Sequence, residues 1–255
     1  MRRVAVIADI HGNAAALEAV LGEVAGSGAE AVVVAGDVVP GAEPGAVLER
    51  LMDLRHARFV RGNGDREVVE AFDAGARFDA AEADAAVRMA AWTAERIDRE
   101  ERGFLASFDE AVALEVDGLG SVLVCHGTPG SDERMLTSLT PDEAVARELA
   151  GVEADVVVGG HTHVHYDRRV GTVRLVNAGS VGMPYEGRRG AFWLLLGPGV
   201  ELRRTEYDVG RAAAAIAATG FGDAWDDAGE MLLHPPTARE VEEHFEGVAA
   251  ARGER

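Results

Sequence analysis

Aspartate, asparagine and histidine recur in this sequence where short apolar runs stop: Asp9-Ile10-His11, Gly36-Asp37, Gly62-Asn63, Cys125-His126 and Gly159-Gly160-His161-Thr162-His163. Carboxylate, carboxamide and imidazole groups are ligands for divalent metal ions, so the chemistry such a set serves is metal binding. One such residue alone is ordinarily a turn or a cap. The repetition of ligand chemistry after one apolar run after another is what points to a site. Asp-x-His and His-x-His add a geometric constraint, because residues two apart in extended backbone project to the same side and each pair can grip one region. Glycines at positions 12, 36, 62, 127, 159 and 160 permit tight turns and close backbone approach around these residues.

The elements that must position them read as buried strands: Val4 to Ala8, Ala31 to Ala35, Ala57 to Val60, Ser121 to Val124, Val156 to Val158 and Val173 to Val176. Between the first two, Leu17, Val20, Leu21 and Val24 follow helical spacing, which predicts an amphipathic helix entered through Gly12-Asn13. Strand, helix, strand implies a parallel pair. The carboxyl ends of parallel strands share one edge, so residues scattered between positions 9 and 163 should converge on a single crevice. Thr140-Pro141-Asp142-Glu143 has the form of a capping box with proline at the first helical position and predicts a helix over about 141 to 150. Residues 66 to 108 are expected as two or three helices beside the sheet. The stretches 172 to 176, 190 to 196 and 200 to 205 read as antiparallel strands of a second sheet. Helices are expected near 209 to 218, capped by Asp208, and after the box Thr237-Ala238-Arg239-Glu240, beyond a Gly220-Phe221-Gly222-Asp223 linker that suggests a loosely attached appendage. The predicted class is mixed α/β (α+β), organised as a main domain over 1–205 with a helical insertion at 66–108 and a C-terminal helical appendage over 206–255.

Taken in order, Asp9-Ile10-His11-Gly12-Asn13, Gly36-Asp37, Gly62-Asn63-Gly64-Asp65, Cys125-His126-Gly127, Gly159-Gly160-His161-Thr162-His163 and Asn177-Ala178-Gly179-Ser180-Val181-Gly182 resemble the motif set of calcineurin-like metallophosphoesterases, in their small bacterial and archaeal phosphodiesterase branch. The resemblance covers roughly residues 1 to 205. It implies a sandwich of two mixed sheets flanked by helices, with a dinuclear centre at one edge. Carried over by position, it implies Asp9, His11 and His163 on one metal, Asn63, His126 and His161 on the other, and Asp37 bridging. Manganese, iron and zinc all suit such mixed ligands. A bridging hydroxide is then the expected nucleophile, since coordination lowers the pKa of water from about 15.7 to near 7.

The sequence departs from the family pattern at Gly64, where many members have a histidine resembling a general acid. Asp65 and His165 are the candidates to replace it, beside His126 in the catalytic set. Without such a donor, activated esters, cyclic nucleotides and diesters are favoured over simple alkyl monoesters. Arg66 and Arg188, with Arg189, are candidate phosphate clamps. Asn13 is explained by capping, with phosphate contact at that helix start as a second role. His56, His234 and His244 read first as ordinary surface or core groups, as does His165 apart from its candidacy, and Cys125 as a small buried residue. Rival readings are a nucleotide pyrophosphohydrolase or protein phosphatase on the same framework, and a non-catalytic metal-binding scaffold.

Bulk properties narrow the field. The 255 residues carry a net charge of −19, which disfavours stable binding to nucleic acid or anionic membranes and favours small phosphoester substrates, nucleotides among them. Every basic residue is arginine, which removes the P-loop lysine and Schiff-base mechanisms. A single cysteine excludes an intramolecular disulfide and a thiolate cluster, which suits a reducing cytoplasmic setting. The apolar run after Arg2-Arg3 is interrupted by Asp9 and His11 before it reaches signal length. No apolar stretch approaches the roughly 18 residues that a membrane span requires.

Overall fold

The computed structural model describes residues 1–75, 85–223 and 228–254. Two five-stranded sheets pack face to face. In the first, β1 (Val4–Ile7), β2 (Ala31–Ala35) and β3 (Ala57–Val60) run parallel, with Val4 opposite Ala31 and Val32 opposite Ala57. β9 (Ala191–Leu196) joins β1 antiparallel, and β10 (Val200–Thr205) forms the outer edge. In the second, β5 (Gly120–Cys125), β6 (Val156–Gly159) and β8 (Val173–Asn177) run parallel, bounded by antiparallel β4 (Ala111–Val116) and β7 (Tyr166–Val170).

The strands of the parallel triplets read as continuous Val and Ala runs because both faces are buried. Val4, Val6, Ala8, Val33 and Ala35 face Val122, Val124, Val156, Val158 and Val176 between the sheets. The alternate residues Ala5, Ile7, Val32 and Val34 pack against Leu17, Val20 and Leu21 of α1 (Ala14–Gly26) and Leu48 and Leu51 of α2 (Pro44–Met52). Beneath the second sheet, Cys125, Val157, Tyr166 and Leu175 meet Val145 and Leu149 at α6 (Asp142–Glu148). Each fully buried Val or Leu stabilises this helix–sheet–sheet–helix stack by roughly 1.5–3 kcal/mol. The sandwich is the one the motif resemblance implies.

Several local expectations are corrected. The antiparallel ribbon 190–196 and 200–205 pairs with β1 rather than founding a second sheet, since all-apolar Ala191–Leu196 needs cover on both faces. β8 pairs antiparallel as expected, with β7, but its other neighbour, β6, is parallel, and the ribbon 190–205 lies in the other sheet. The strands Ala111–Val116 and Tyr166–Val170 and the helix Pro44–Met52 went unread, because charged residues on solvent-facing positions interrupt their apolar pattern. The box at Thr140 does not form: Pro141 is itself the N-cap of α6, and Thr140 Oγ1 instead hydrogen-bonds Glu246 Oε1 at 2.6 Å.

Helices α3 (Asn63–Ala74), α4 (Ala85–Ala94) and α5 (Arg99–Leu105) fill the stretch where two or three helices are expected; residues 76–84 lie outside the described residues. The C-terminal helices α7 (Val209–Ala218), α8 (Ala228–Leu233) and α9 (Ala238–Ala251) are docked rather than loose. Phe221 of the supposed linker is buried, with its ring centroid 5.0 Å from that of Trp92 in α4. Among the described residues no helix is long and apolar enough to cross a membrane.

Candidate metal centre

All seven proposed ligands leave the carboxyl ends of parallel strands. Asp9 and His11 follow β1, Asp37 follows β2, and Asn63 opens α3 after β3; His126 follows β5, and His161 and His163 follow β6. Asp9, His11, Asp37, His161 and His163 all have φ between 46° and 66°. That left-handed backbone costs an L-residue about 1–2 kcal/mol relative to the right-handed form, a strain typical of functional sites. His56 is the one other non-glycine residue in this conformation among the described residues.

The side chains form two groups, Asp9 with His11 and His163, and Asp37 with His126 and His161. Asp9 Oδ1 is 3.2 Å from His163 Nε2, and both Asp9 oxygens accept from the His161 backbone N–H, at 3.2 and 3.0 Å. Asp37 Oδ2 lies between the groups, 3.7 Å from His11 Nε2 and 3.6 Å from His126 Nε2. Three rings are anchored through Nδ1 to backbone carbonyls: His11 to Pro40 at 3.2 Å, His126 to Ala35 at 2.8 Å and His163 to Met183 at 2.8 Å. Each therefore directs an Nε2 lone pair into the crevice. His161 is turned the other way, with Nε2 held by Glu133 O at 3.2 Å, which leaves Nδ1 free. Gly36 makes the His126 anchor possible, because a Cβ there would stand 2.6 Å from His126 Nδ1.

These groups fit divalent cations. His11 Nε2 and His163 Nε2 face each other at 3.2 Å while both Nδ1 protons are engaged elsewhere, so without a cation two lone pairs confront one another. His126 Nε2 and Asn63 Oδ1 are buried with no hydrogen-bond partner. Burial, then the neighbouring His163, holds His11 down at about 3, and burial with His126 does the same for His161, so the rings are neutral as ligation requires. Burial pushes Asp9 up, but the imidazoles, His163 foremost, outweigh it and bring Asp9 to about 2. Burial and then the Asp9 carboxylate push Asp37 well above the carboxylate range. Two carboxylates this close need positive charge between them to ionise together.

The remaining candidates are placed differently. Asp65 is fully buried, and its carboxylate accepts from the backbone N–H groups of Asp37 (2.9 Å), Val38 (3.0 Å), Val39 (3.2 Å) and Gly62 (3.0 Å). It splints the β2 and β3 loops, its carboxylate oxygens taken up by backbone N–H groups. Burial, then Asp37, pushes it up to about 8, against which four N–H donors favour the ionised form. His165 is half-buried against Phe192, with centroids 5.4 Å apart, and packs at Gly179; desolvation holds it down at about 4, so as a neutral ring it is a poor proton donor at neutral pH. Asn13 is buried and fully used: Oδ1 caps Ala16 N, and Nδ2 donates to Gly182 O and Tyr207 Oη. Arg66 is bound by Asp132 at 2.9 Å and Glu133 at 2.6 Å, and Arg188 is exposed with its guanidinium 5.5 Å from the Phe192 ring. Arg66 is therefore engaged by carboxylates rather than free as a clamp. The carbonyl anchors at Ala35, Pro40 and Met183 had no signal in the sequence, since every residue has a carbonyl. Thr93 was also missed; its buried Oγ1 accepts from Gly41 N at 3.2 Å and links α4 to the loop that holds His11.

Residues 2–196 match the family model described as the calcineurin-like phosphoesterase superfamily domain. The chain is 29% identical over 234 residues to the uncharacterized protein MJ0912 of Methanocaldococcus jannaschii, covering 84% of this chain and 91% of that protein. A metallophosphoesterase from Sphaerobacter thermophilus has a similar structure, with a TM-score of 0.70 at 22% identity over 91% of this chain and 98% of that one. The hypothetical protein PH1004 of Pyrococcus horikoshii OT3 gives a TM-score of 0.76 at 19% identity over 93% and 100% of the two chains. These structural likenesses concern the fold.

Proposed function

Because the chain belongs to the calcineurin-like phosphoesterase superfamily, we propose that it hydrolyses phosphodiester bonds at a pair of divalent cations. Asp9, His11 and His163 would hold one ion, Asn63, His126 and His161 the other, and Asp37 both. The observation that carries this reading is the position of Asp37 Oδ2, 3.7 and 3.6 Å from an imidazole nitrogen of each group. Bound cations supply an activated water and stabilise the charge that builds on the phosphoryl oxygens.

The chain's own residues orient and limit this chemistry. Asp65 fixes the Asp37 backbone, and the carbonyl anchors fix the imidazole tautomers. No proton donor stands at position 64, where a Cβ would meet Pro40 Cδ at 2.5 Å, so the packing leaves no room for the histidine that the family resemblance would place there. Leaving groups must therefore depart with little help, which favours diesters and aryl esters over alkyl monoesters. Cytoplasmic location and manganese, iron or zinc as the native ion belong to the same proposal.

The test is turnover of bis(p-nitrophenyl) phosphate, p-nitrophenyl phosphate and an alkyl monoester by manganese-loaded protein. Asp37→Ala and His126→Ala should abolish activity and lower metal content while the fold persists. Turnover confined to dinucleoside polyphosphates or phosphopeptides would move the reading to a pyrophosphohydrolase or protein phosphatase. Inertness on every ester would leave a metal-binding scaffold.

A further inference from the structure

Glu133 O, which fixes His161 through Nε2 at 3.2 Å, lies in residues 126–141, a connection between β5 and α6 that contains no helix or strand. With no hydrogen-bond ladder of its own, such a connection takes its shape from groups that bind it from outside. What holds this stretch therefore decides where the His161 ring points.

Much of the hold comes from α9. Glu242 and Glu246 are four residues apart and share one face of that helix. Glu242 Oε1 accepts from Ser138 N at 2.8 Å, and Glu246 Oε1 accepts from the hydroxyls of Thr137 at 2.7 Å and Thr140 at 2.6 Å. Both threonines are buried, and their oxygens accept in turn from Leu139 N and Thr137 N, so the two carboxylates order the turn over 137–140. Nearer to Glu133, Arg134 Nη1 stands 3.8 Å from Glu254 Oε2, just past the end of the helix.

The start of α9 meets the other anchor loop. Gly187 N donates to Pro236 O at 2.8 Å, next to the N-cap Thr237. Gly187 lies shortly after Met183, whose carbonyl holds His163 Nδ1 at 2.8 Å. The helix thus bridges the two loops that orient the His-x-His pair. It lies beyond residues 2–196, the part of the chain that matches the family model.

We propose that α9 is a brace for the metal-binding imidazoles, with Glu246 and Glu242 as positioning residues that keep His161 turned so that Nδ1 faces the crevice. The consequence for ion binding rests on the phosphoesterase reading above; the orientation of the ring does not. Contacts from β7 hold the same stretch, with Tyr166 Oη donating to Leu136 O at 3.0 Å and Arg168 Nη1 to Ser138 O at 2.9 Å and Thr140 O at 2.8 Å. Loss of one acid should therefore loosen the stretch without unfolding the protein.

The experiment reads the imidazole rings by two-bond proton–nitrogen NMR in the full-length, metal-free protein and then follows them through a zinc titration. Wild type should show His161 as the Nε2–H tautomer. Glu246→Ala should turn this into a mixture of both tautomers. Zinc binding at His126 and His161 should weaken about tenfold, with binding at His11 and His163 unchanged within about twofold. Glu246→Gln should behave as wild type, because its amide oxygen still accepts from both hydroxyls. Glu242→Ala, which gives up a single bond, is the milder variant should Glu246→Ala not fold, and it should move the same signals in the same direction. If the wild type takes up no zinc, the phosphoesterase reading fails while the tautomer still decides the brace. A His161 tautomer unchanged in the folded alanine variant, equal loss of affinity at both groups, or a glutamine variant that behaves like the alanine one would overturn the proposal.

Discussion

His11 Nε2 lies 3.2 Å from His163 Nε2 across the crevice, and each ring's other nitrogen is tied to a backbone carbonyl. The contact brings together residues from the carboxyl ends of β1 and β6, one from each sheet. Two Nε2 lone pairs facing each other gain nothing from this approach unless a cation sits against them.

His163→Ala should therefore separate metal binding from folding. The metal-free variant is expected to match the wild type in denaturant midpoint within about 1 kcal/mol, since the lost ring contacts are offset by relief of the facing lone pairs. Metal content should fall by one ion per chain. Elemental analysis beside urea unfolding of the metal-free proteins checks both.

Asp65→Asn should destabilise the protein by roughly 2–4 kcal/mol, because an amide NH2 then points at N–H donors that had a carboxylate oxygen. Asp37 hangs from the same cradle, through its N–H at 2.9 Å, so metal affinity should weaken although Asp65 contacts no ion in this reading. Chemical unfolding and metal titration read the two effects.

Metal uptake should release protons in the pH range where Asp37 titrates. Burial and then the Asp9 carboxylate raise Asp37 well above its ordinary value, so a proton it holds in the metal-free fold must leave for it to ligate. His11 and His161, both held at about 3, are already neutral and contribute none. Affinity should accordingly rise with pH until Asp37 titrates and then level off, and Asp37→Asn should release one proton fewer. Calorimetry in buffers of differing ionisation enthalpy counts them.

Gly64→His should not restore a general acid. Its Cβ would begin 2.5 Å from Pro40 Cδ and 3.0 Å from Asp37 Oδ1, so the loop must shift. Overpacking of this kind costs about 1–3 kcal/mol, and turnover of alkyl monoesters should stay flat or fall. Steady-state rates on matched aryl and alkyl monoesters test it.

Much of the site was legible in the sequence for a physical reason. Residues such as Asp9, Asp37 and His126 follow Val-rich strands whose parallel direction delivers their carboxyl ends to one edge, so strand order alone brings them together. Asp65 and Arg66 could not be placed that way. They lie on α3, and their partners, the Asp37–Val39 N–H groups and Asp132, are set by tertiary contact rather than by spacing. The ribbon Ala191–Thr205 was legible as strands but not as neighbours of β1, because two faces of burial do not say which sheet provides the cover. The docking of the C-terminal helices was hidden in single apolar residues such as Phe221, which look like linker until they meet Trp92.

Anomalous diffraction from manganese-loaded crystals tests the central claim most directly. Two peaks about 3.5–4 Å apart are predicted, with Asp37 in contact with both, His11 and His163 on one, and His126 and His161 on the other. A single ion, or peaks away from these side chains, would contradict the account.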